Sequence, residues 1–149
     1  MKRFQFTLDK LYDYKDQVLS KEKNDLADLR SSRAKMLDEK EELEYRLRVS
    51  GEEFAEKAAV GMTIMEMTMF KDFHKSLEER IHEKEEEISD MEGQIARQLN
   101  VVIEASKDVN SLERLRDKQL EEYNFMAAKA EEQFIEEFVT NSAFRAKNM

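Results

Sequence analysis

Apolar residues recur at alternating steps of four and three along the first third of the chain. Starting at Leu8, these steps reach twelve positions up to Leu47, and eight of the twelve are apolar. This spacing is typical of the seam of a coiled coil, because it keeps one helix face turned toward a partner helix. Charged runs such as LDEKEELEYR are expected to form the solvated face. The first element is therefore predicted to be one long amphipathic helix.

A second pattern of the same kind begins at Phe70 and ends at Met126. It reaches seventeen positions, of which twelve are apolar, so a second coiled-coil helix is predicted. Beyond Met126 the pattern loosens, and Phe134, Ile135 and Phe138 follow among alanines and glutamates. We therefore expect the second helix to continue past the end of its regular seam.

The segment between the two patterns holds two of the three glycines of the chain, Gly51 and Gly61. Each lies beside a capping-box pattern, in which a hydroxyl and a carboxylate three residues later satisfy free amides at a helix start. The two pairs are Ser50 with Glu53 and Thr63 with Glu66. These signals predict a break near Ser50, a short helix to about Val60, and a new long helix from Thr63.

The predicted fold is all-α: a long antiparallel two-helix coiled-coil hairpin with a short helical turn region and an overhanging C-terminal helix. The chain is expected to form a single hairpin over residues 1–149. Its predicted parts are helix 1 at about 5–49, a turn or short helix at 50–62, and helix 2 at about 63–143.

The same geometry leaves the end of helix 2 without a partner. Residue i of helix 1 is expected to face roughly residue 113 − i of helix 2, so Phe4 lies opposite about Val109. The stretch from about Asn110 to Arg145 then overhangs by about 50 Å. A single helix with so much apolar surface is unstable or sticky in water, so we expect it to bind a partner, fold back or dimerise. Its apolar side chains are Leu112, Leu115, Leu120, Tyr123, Phe125, Met126, Phe134, Ile135 and Phe138.

Composition narrows the range of partners. The 149 residues are 40% charged, include no Pro, Trp or Cys, and carry a formal net charge of −9. An acidic chain weighs against nucleic acid or an anionic membrane as the main partner, since both attract basic surfaces. No apolar run approaches the roughly 20 residues of a membrane span, and the basic N-terminus leads into no signal-peptide core. We therefore expect a soluble cytoplasmic protein without direct membrane insertion.

The sequence holds no set of residues typical of catalysis or cofactor binding. His74 and His82 are about two helical turns apart, which is too far for one metal ion. The acidic run HEKEEEISDME lacks the ligand spacing and turn glycine of a calcium loop, and there is no Gly-rich phosphate loop. We expect no enzymatic activity, no metal and no cofactor.

Methionines are concentrated just before the second seam. The four are Met62, Met65, Met67 and Met69. Flexible thioethers can either pack an irregular turn or form an adaptable surface for a partner. The residues alone leave both interpretations open.

Three stretches carry a resemblance to a known family: FQFTLDKLYDYKD at the N-terminus, GMTIMEMTMFKDFHKSLEERI in the centre, and LERLRDKQLEEY in the second helix. They resemble the opening pattern, the central turn with its aromatic segment, and a second-helix stretch of the flagellar FliJ family. Members of that family are small coiled-coil proteins of the flagellar type III export apparatus. The three matches span nearly the whole chain.

The resemblance implies a non-enzymatic antiparallel coiled coil like the central stalk subunit of rotary ATPases. Such a protein would insert its terminal-helix end into a hexameric export ATPase ring, contact the export gate protein at the membrane, and escort export chaperones. It would be cytoplasmic and peripheral at the inner face of the membrane at the flagellar base.

Residue roles follow from the same resemblance. The export-gate contacts would be Phe73 and Leu77, preceded by Phe70, which leaves Met62 and Met65 to pack the turn. The ATPase-ring contacts would be Leu112, Leu115, Leu120, Tyr123, Phe125, Met126, Phe134 and Phe138. Three alternatives remain: a type III secretion chaperone, the equivalent stalk of a virulence secretion system, and a self-associating structural coiled coil.

Overall fold

The protein folds into two long α-helices joined by a short turn. A computed structural model describes residues 2–148, in which α1 spans Asp9–Val60 and α2 spans Ile64–Lys147. No strand occurs among these described residues. The two helices pack against each other as an all-α helical hairpin, which confirms the predicted fold class.

Both predicted seams lie on the packed faces of the helices. Along the first seam, every position from Tyr12 to Leu47 is buried or half-buried, whereas Leu8 at its start is exposed. Along the second seam, every position is buried or half-buried except Arg116 and Met126. Heptad spacing identified the packed face because steps of four and three keep returning to the same side of a helix.

The predicted break near Ser50 is wrong, because α1 continues through it to Val60. Ser50 is only 5% exposed, and further steps of three and four carry the seam from Leu47 through Ser50 to Phe54. A glycine inside a helix costs about 1 kcal/mol relative to alanine. Packing along the uninterrupted seam offsets this cost at Gly51, the residue after Ser50. The separate short helix predicted within 50–62 is therefore the last part of α1.

The chain reverses at residues 61–63, where the second capping signal is used as predicted. Gly61 has a φ of 125°, a conformation that favours glycine because it has no Cβ. Its N–H donates to the carbonyl of Lys57 at 3.0 Å. The N–H of Glu66 donates to Thr63 Oγ1 at 3.1 Å, and the N–H of Thr63 donates to Glu66 Oε2 at 3.4 Å. This reciprocal capping box fixes the start of α2.

Residues 21–102 form one compact unit that contains the turn. Its buried apolar side chains are Leu26, Leu43, Leu77 and Ile88. Lys84 Nζ donates to Glu39 Oε2 at 2.7 Å, and Arg33 Nη2 donates to Glu92 Oε1 at 2.9 Å. The predicted register places Glu39 opposite residue 74, so its observed partner lies almost three turns further along α2. The observed register differs from the predicted one because the chain reverses only at residues 61–63, whereas the prediction placed the turn region at 50–62.

Residues 2–20 and 103–148 belong to a second compact unit. Its buried apolar side chains are Phe6, Leu19 and Val109. Phe4 contacts Tyr123 with ring centroids 5.5 Å apart, and the Tyr12 hydroxyl donates to Glu113 Oε1 at 2.9 Å. The expectation that Phe4 lies opposite about Val109 is therefore wrong, and pairing in this unit extends to Tyr123.

The C-terminal end of α2 is exposed on all sides. Ala127 is still half-buried, but every side chain from Ala128 to Asn148 is exposed. At 1.5 Å per residue the helical stretch 128–147 is about 30 Å long, which is shorter than the overhang expected from Asn110. We call residues 128–147 the C-terminal arm.

Candidate functional site

A row of exposed apolar side chains lies at the start of α2, in the unit that contains the turn. Met65, Met69 and Phe73 follow one another at steps of four and are 75%, 66% and 52% exposed. Residues four apart are neighbours on a helix surface, so these side chains form a continuous ridge. Val60 and Ile64, on either side of the turn, are 92% and 85% exposed. We call these five side chains the tip surface.

The three side chains predicted to contact the export gate lie in different environments. Phe73 belongs to the tip surface. Phe70 packs edge-on against Phe54, with ring centroids 5.7 Å apart, and Lys57 Nζ lies 5.2 Å from the centre of the Phe70 ring. Leu77 is 1% exposed in the core. Of the three, Phe73 presents the most side chain to a partner, while Leu77 presents almost none.

The ridge turns from solvent into the core as it runs along α2. Each step of four advances about 40° around the helix, so three steps from Met65 to Leu77 rotate the row by about 120°. The ridge is exposed at Met65, still half exposed at Phe73, and buried at Leu77. Leu77 is buried in the core and therefore fixes the position of the helical turn on which Phe73 lies.

Sequence reasoning missed most of the tip surface. The expectation that Met65 packs the turn is wrong, because its side chain is largely exposed, whereas Met62 is half-buried. Val60 and Ile64 were not singled out as contact residues, and Met69 was left open between turn packing and a partner surface. The recurrence at steps of four from Met65 to Phe73 was the available signal.

The eight side chains predicted to contact the ATPase ring fall into two groups. Leu112 and Tyr123 are half-buried in the hairpin, and Leu115 and Leu120 are each 37% exposed. The second group is more than half exposed and consists of Phe125, Met126, Phe134 and Phe138. The first group therefore offers less free apolar surface to a partner than the second.

Between Phe134 and Val139 the C-terminal arm has one apolar and one polar face, and Phe144, which is 66% exposed, lies outside this apolar stripe. Phe134 and Phe138 are four residues apart and adjoin Ile135 and Val139, and all four side chains are more than half exposed. Val139 was not among the predicted contacts. Glu136 lies about 160° around the helix from Phe134. Amphipathic helices that bind in hydrophobic grooves of partner proteins carry an apolar stripe of this kind.

Histidines on α2 are paired with carboxylates one turn away. His74 Nε2 lies 3.3 Å from Glu78 Oε1, and His82 Nε2 lies 3.2 Å from Glu86 Oε1. Within residues 2–148 there is no group of three or more His, Asp or Glu side chains placed to hold a metal ion. The two histidines therefore take part in separate surface pairs.

Two side chains have raised pKa values because they pair across the helices. The hydrogen bond to the Glu113 carboxylate is the largest cause that raises the pKa of Tyr12. Hydrogen bonds to Glu39 first and Glu87 second raise the pKa of Lys84, because both carboxylates stabilise the ammonium form. Neither group lies on the tip surface or the C-terminal arm, so these shifts belong to helix pairing.

Within residues 2–148, neither α1 nor α2 contains a stretch long and apolar enough to cross a bilayer.

Two long helices packed along heptad seams define a protein of the coiled-coil class. The chain belongs to the flagellar FliJ protein family, since the model of that family matches residues 4–148. FliJ proteins are non-enzymatic components of flagellar export, and this chain has a role related to that export. No curated protein and no solved structure matches the chain.

Proposed function

We propose that the protein couples a hexameric export ATPase to the export gate at the membrane. The observation that carries this proposal is the presence of two exposed apolar surfaces, one in each compact unit. A coupling protein needs separate contacts for its two partners. In the proposal, the C-terminal arm enters the ATPase ring and the tip surface contacts the cytoplasmic part of the gate protein.

The ring contact rests on the C-terminal arm and the residues just before it. Phe125 and Met126 are exposed just before the arm, and Phe134 and Phe138 lie on its free apolar stripe. Burying an apolar side chain of this size contributes about 1.5–3 kcal/mol when it starts fully exposed. The free energy gained by burying several such side chains is comparable to the free-energy cost of association, which is at least about 4 kcal/mol. The arm alone then binds weakly, which suits a contact that is repeatedly made and released.

The gate contact rests on Phe73 and the methionines beside it. Met65 and Met69 continue the ridge of Phe73, and flexible thioethers adapt to the shape of a partner. Phe70 and Leu77 act from within the hairpin in this proposal, because Phe70 packs on Phe54 and Leu77 is buried. They hold the ridge in place and contact the gate little or not at all.

The remaining partners follow from the same proposal. The protein resides in the cytoplasm and is peripheral at the inner face of the membrane at the flagellar base. Export chaperones are further partners, and nucleic acid is not, because the chain carries a net charge of −9.

The test measures the ATPase rate and hexamer content of the cognate export ATPase with the full chain and with a truncation after Ala127. We expect the full chain to raise both quantities and the truncation to lose the effect. A matched pair of full-length variants distinguishes the effect of losing the apolar stripe from the effect of shortening the chain. Phe134→Ser with Phe138→Ser should behave like the truncation, whereas Glu136→Gln with Thr140→Ala on the polar side should not. An unchanged rate and hexamer content with the full chain would contradict the proposal.

A second candidate function is that of a secretion chaperone. The exposed methionines Met65 and Met69 favour it, because adaptable apolar surfaces bind varied amphipathic segments. Isothermal titration with purified export substrates distinguishes the two functions. Stoichiometric binding of one substrate, lost in a Met65→Ser, Met69→Ser variant and without any effect on the ATPase, would favour the chaperone.

A further inference from the structure

A cavity of about 300 Å³ opens between α1 and α2 in the unit of residues 21–102. The aromatic rings of Phe54 and Phe70 contribute to its lining, together with Gly51 on α1. Its volume lies at the lower end of the range of about 300–1,000 Å³ found for small-molecule sites. The cavity therefore has room for one bulky side chain.

Gly51 leaves this cavity open. A Cβ built on Gly51 meets no atom within 4 Å, and positive φ occurs among the described residues at Gly61 only. Neither backbone conformation nor a close neighbour requires glycine at position 51, although glycine costs about 1 kcal/mol inside a helix. Because Gly51 has no side chain, the cavity stays open beside the rings of Phe54 and Phe70. We call this cavity the notch.

Two lysines border the notch on α2. Lys71 and Lys75 are four residues apart and line the same side of the cavity. Neither lysine forms an ion pair within the described part of the chain. Lys84, by contrast, is bound by two carboxylates, Glu39 and Glu87. Glu78 and His74 also line the notch, but His74 Nε2 lies 3.3 Å from Glu78 Oε1, so this carboxylate is paired. The notch thus combines an apolar interior with two lysines that are available to a carboxylate of a partner.

The notch lies away from the tip surface. Lys71 and Lys75 are each two residues from Phe73, which places them about 160° around α2 from that side chain. Phe73 and the two lysines consequently lie on opposite flanks of the helix. A partner bound in the notch leaves Phe73 accessible.

We propose that the notch docks an acidic amphipathic helix of a partner protein. One leucine or aromatic side chain of that helix enters the cavity beside Gly51 and contacts Phe54 and Phe70. Carboxylates one turn away on the same helix pair with Lys71 and Lys75. A partner helix fits this site because glycine permits close approach of its backbone and because the lysines complement its charge. This docking site is additional to the proposed gate and ring contacts.

The test uses two synthetic helical peptides with the same leucine stripe, one bordered by glutamates and the other by lysines. Fluorescence anisotropy with the full-length protein measures both dissociation constants at low salt. We expect the glutamate peptide to bind at least about tenfold more tightly. The double variant Lys71→Glu, Lys75→Glu should reverse this preference.

Filling the cavity tests the apolar part of the site. Gly51→Leu should weaken binding of the glutamate peptide at least about tenfold, while Ala27→Leu, at an exposed position of the same unit outside the cavity lining, should leave it unchanged. Circular dichroism establishes that each variant is folded, and Gly51→Ala provides a smaller change that favours the helix. No binding by the wild-type protein, equal binding of the two peptides, or equal binding by a folded Gly51→Leu variant would overturn the proposal. Concentration-dependent dimerisation that Gly51→Leu abolishes would assign the notch to a second copy of this chain instead.

Discussion

Phe4 and Tyr123 tie the N-terminal segment to α2, with ring centroids 5.5 Å apart and an angle of 54° between the rings. The Tyr123 hydroxyl also donates to the backbone carbonyl of Lys2. Both contacts involve residues that precede α1, which begins at Asp9. The N-terminal FQF stretch therefore packs on the hairpin without being helical, and Phe6 within it is buried.

Removing the Tyr123 ring should release the N-terminal segment while the helices remain paired. We expect Tyr123→Ala to destabilise the protein by about 1–3 kcal/mol, because it loses buried apolar area and an aromatic pair. Tyr123→Phe keeps the ring and should cost less. Urea unfolding gives the stability change, and hydrogen exchange of residues 2–8 reports release of the segment. Equal destabilisation by both variants would show that the hydroxyl contributes more than the ring.

Two truncations separate the paired part of α2 from the C-terminal arm. A chain ending at Ala127 should keep the urea midpoint of the full chain, because every side chain after Ala127 is exposed. A chain ending at Val109 should unfold at lower urea, because it loses Glu113 and Tyr123, the partners of Tyr12 and Phe4. If both truncations retained the midpoint, pairing up to Tyr123 would not stabilise the protein in solution.

Leu77 and Phe73 should differ sharply in their effects on stability. Leu77→Ala should destabilise the protein by about 2–5 kcal/mol, since it leaves a cavity at a side chain that is 1% exposed. Phe73→Ala, at a side chain that is 52% exposed, should change stability much less. Thermal unfolding compares the two variants directly. A gate-binding defect in Leu77→Ala is then attributable to folding unless the variant is shown to retain its structure.

Gly61 in the turn and Gly51 within α1 should respond in opposite directions to alanine. Gly61→Ala should cost about 1 kcal/mol or more, because the φ of 125° is strained for any residue with a Cβ. Gly51→Ala should raise stability by up to about 1 kcal/mol, because position 51 is helical and its Cβ meets open space. Urea midpoints of the two variants measure both effects. Stabilisation by Gly61→Ala would contradict the observed turn.

Alkaline pH should weaken the helix pairing. The pKa values of Lys84 and Tyr12 are raised in the folded protein, so the stability linked to their protonated forms is present below their unfolded pKa values. That stability is lost as pH rises through the folded pKa values, above about pH 10. We expect the urea midpoint to fall in this range, and to fall less in a variant that combines Lys84→Met with Tyr12→Phe. The effect should be modest, because these groups lie near solvent. An identical fall in that variant would attribute the pH dependence to other groups.

The predicted turn shows how local signals are overruled by packing. Ser50 and Gly51 offer a capping box and a glycine, as the real turn at Gly61 and Thr63 does. The order differs, because the glycine follows the capping residue at the first site and precedes it at the real turn. The continued seam through Phe54 decides between them, since an uninterrupted α1 keeps Phe54 packed on Phe70.

This change of turn position also altered the candidate site. Moving the reversal to 61–63 shifted the partner of Glu39 to Lys84 and that of Phe4 to Tyr123. The predicted ring contacts Leu112 and Tyr123 thereby became half-buried residues of the hairpin. A shift of a few residues at the turn propagates along both helices, because their pairing is set by the point of reversal.

The sequence by itself determined the two helices, their packed faces and the family. Heptad steps from Tyr12 to Leu47 and onward from Phe70 define those faces, because helical periodicity is a local property. Tertiary structure alone decided the register, the length of the C-terminal arm and the exposure of Met65 and Phe73. These features depend on which side chains meet across the hairpin, and that pairing is a contact between residues distant in sequence.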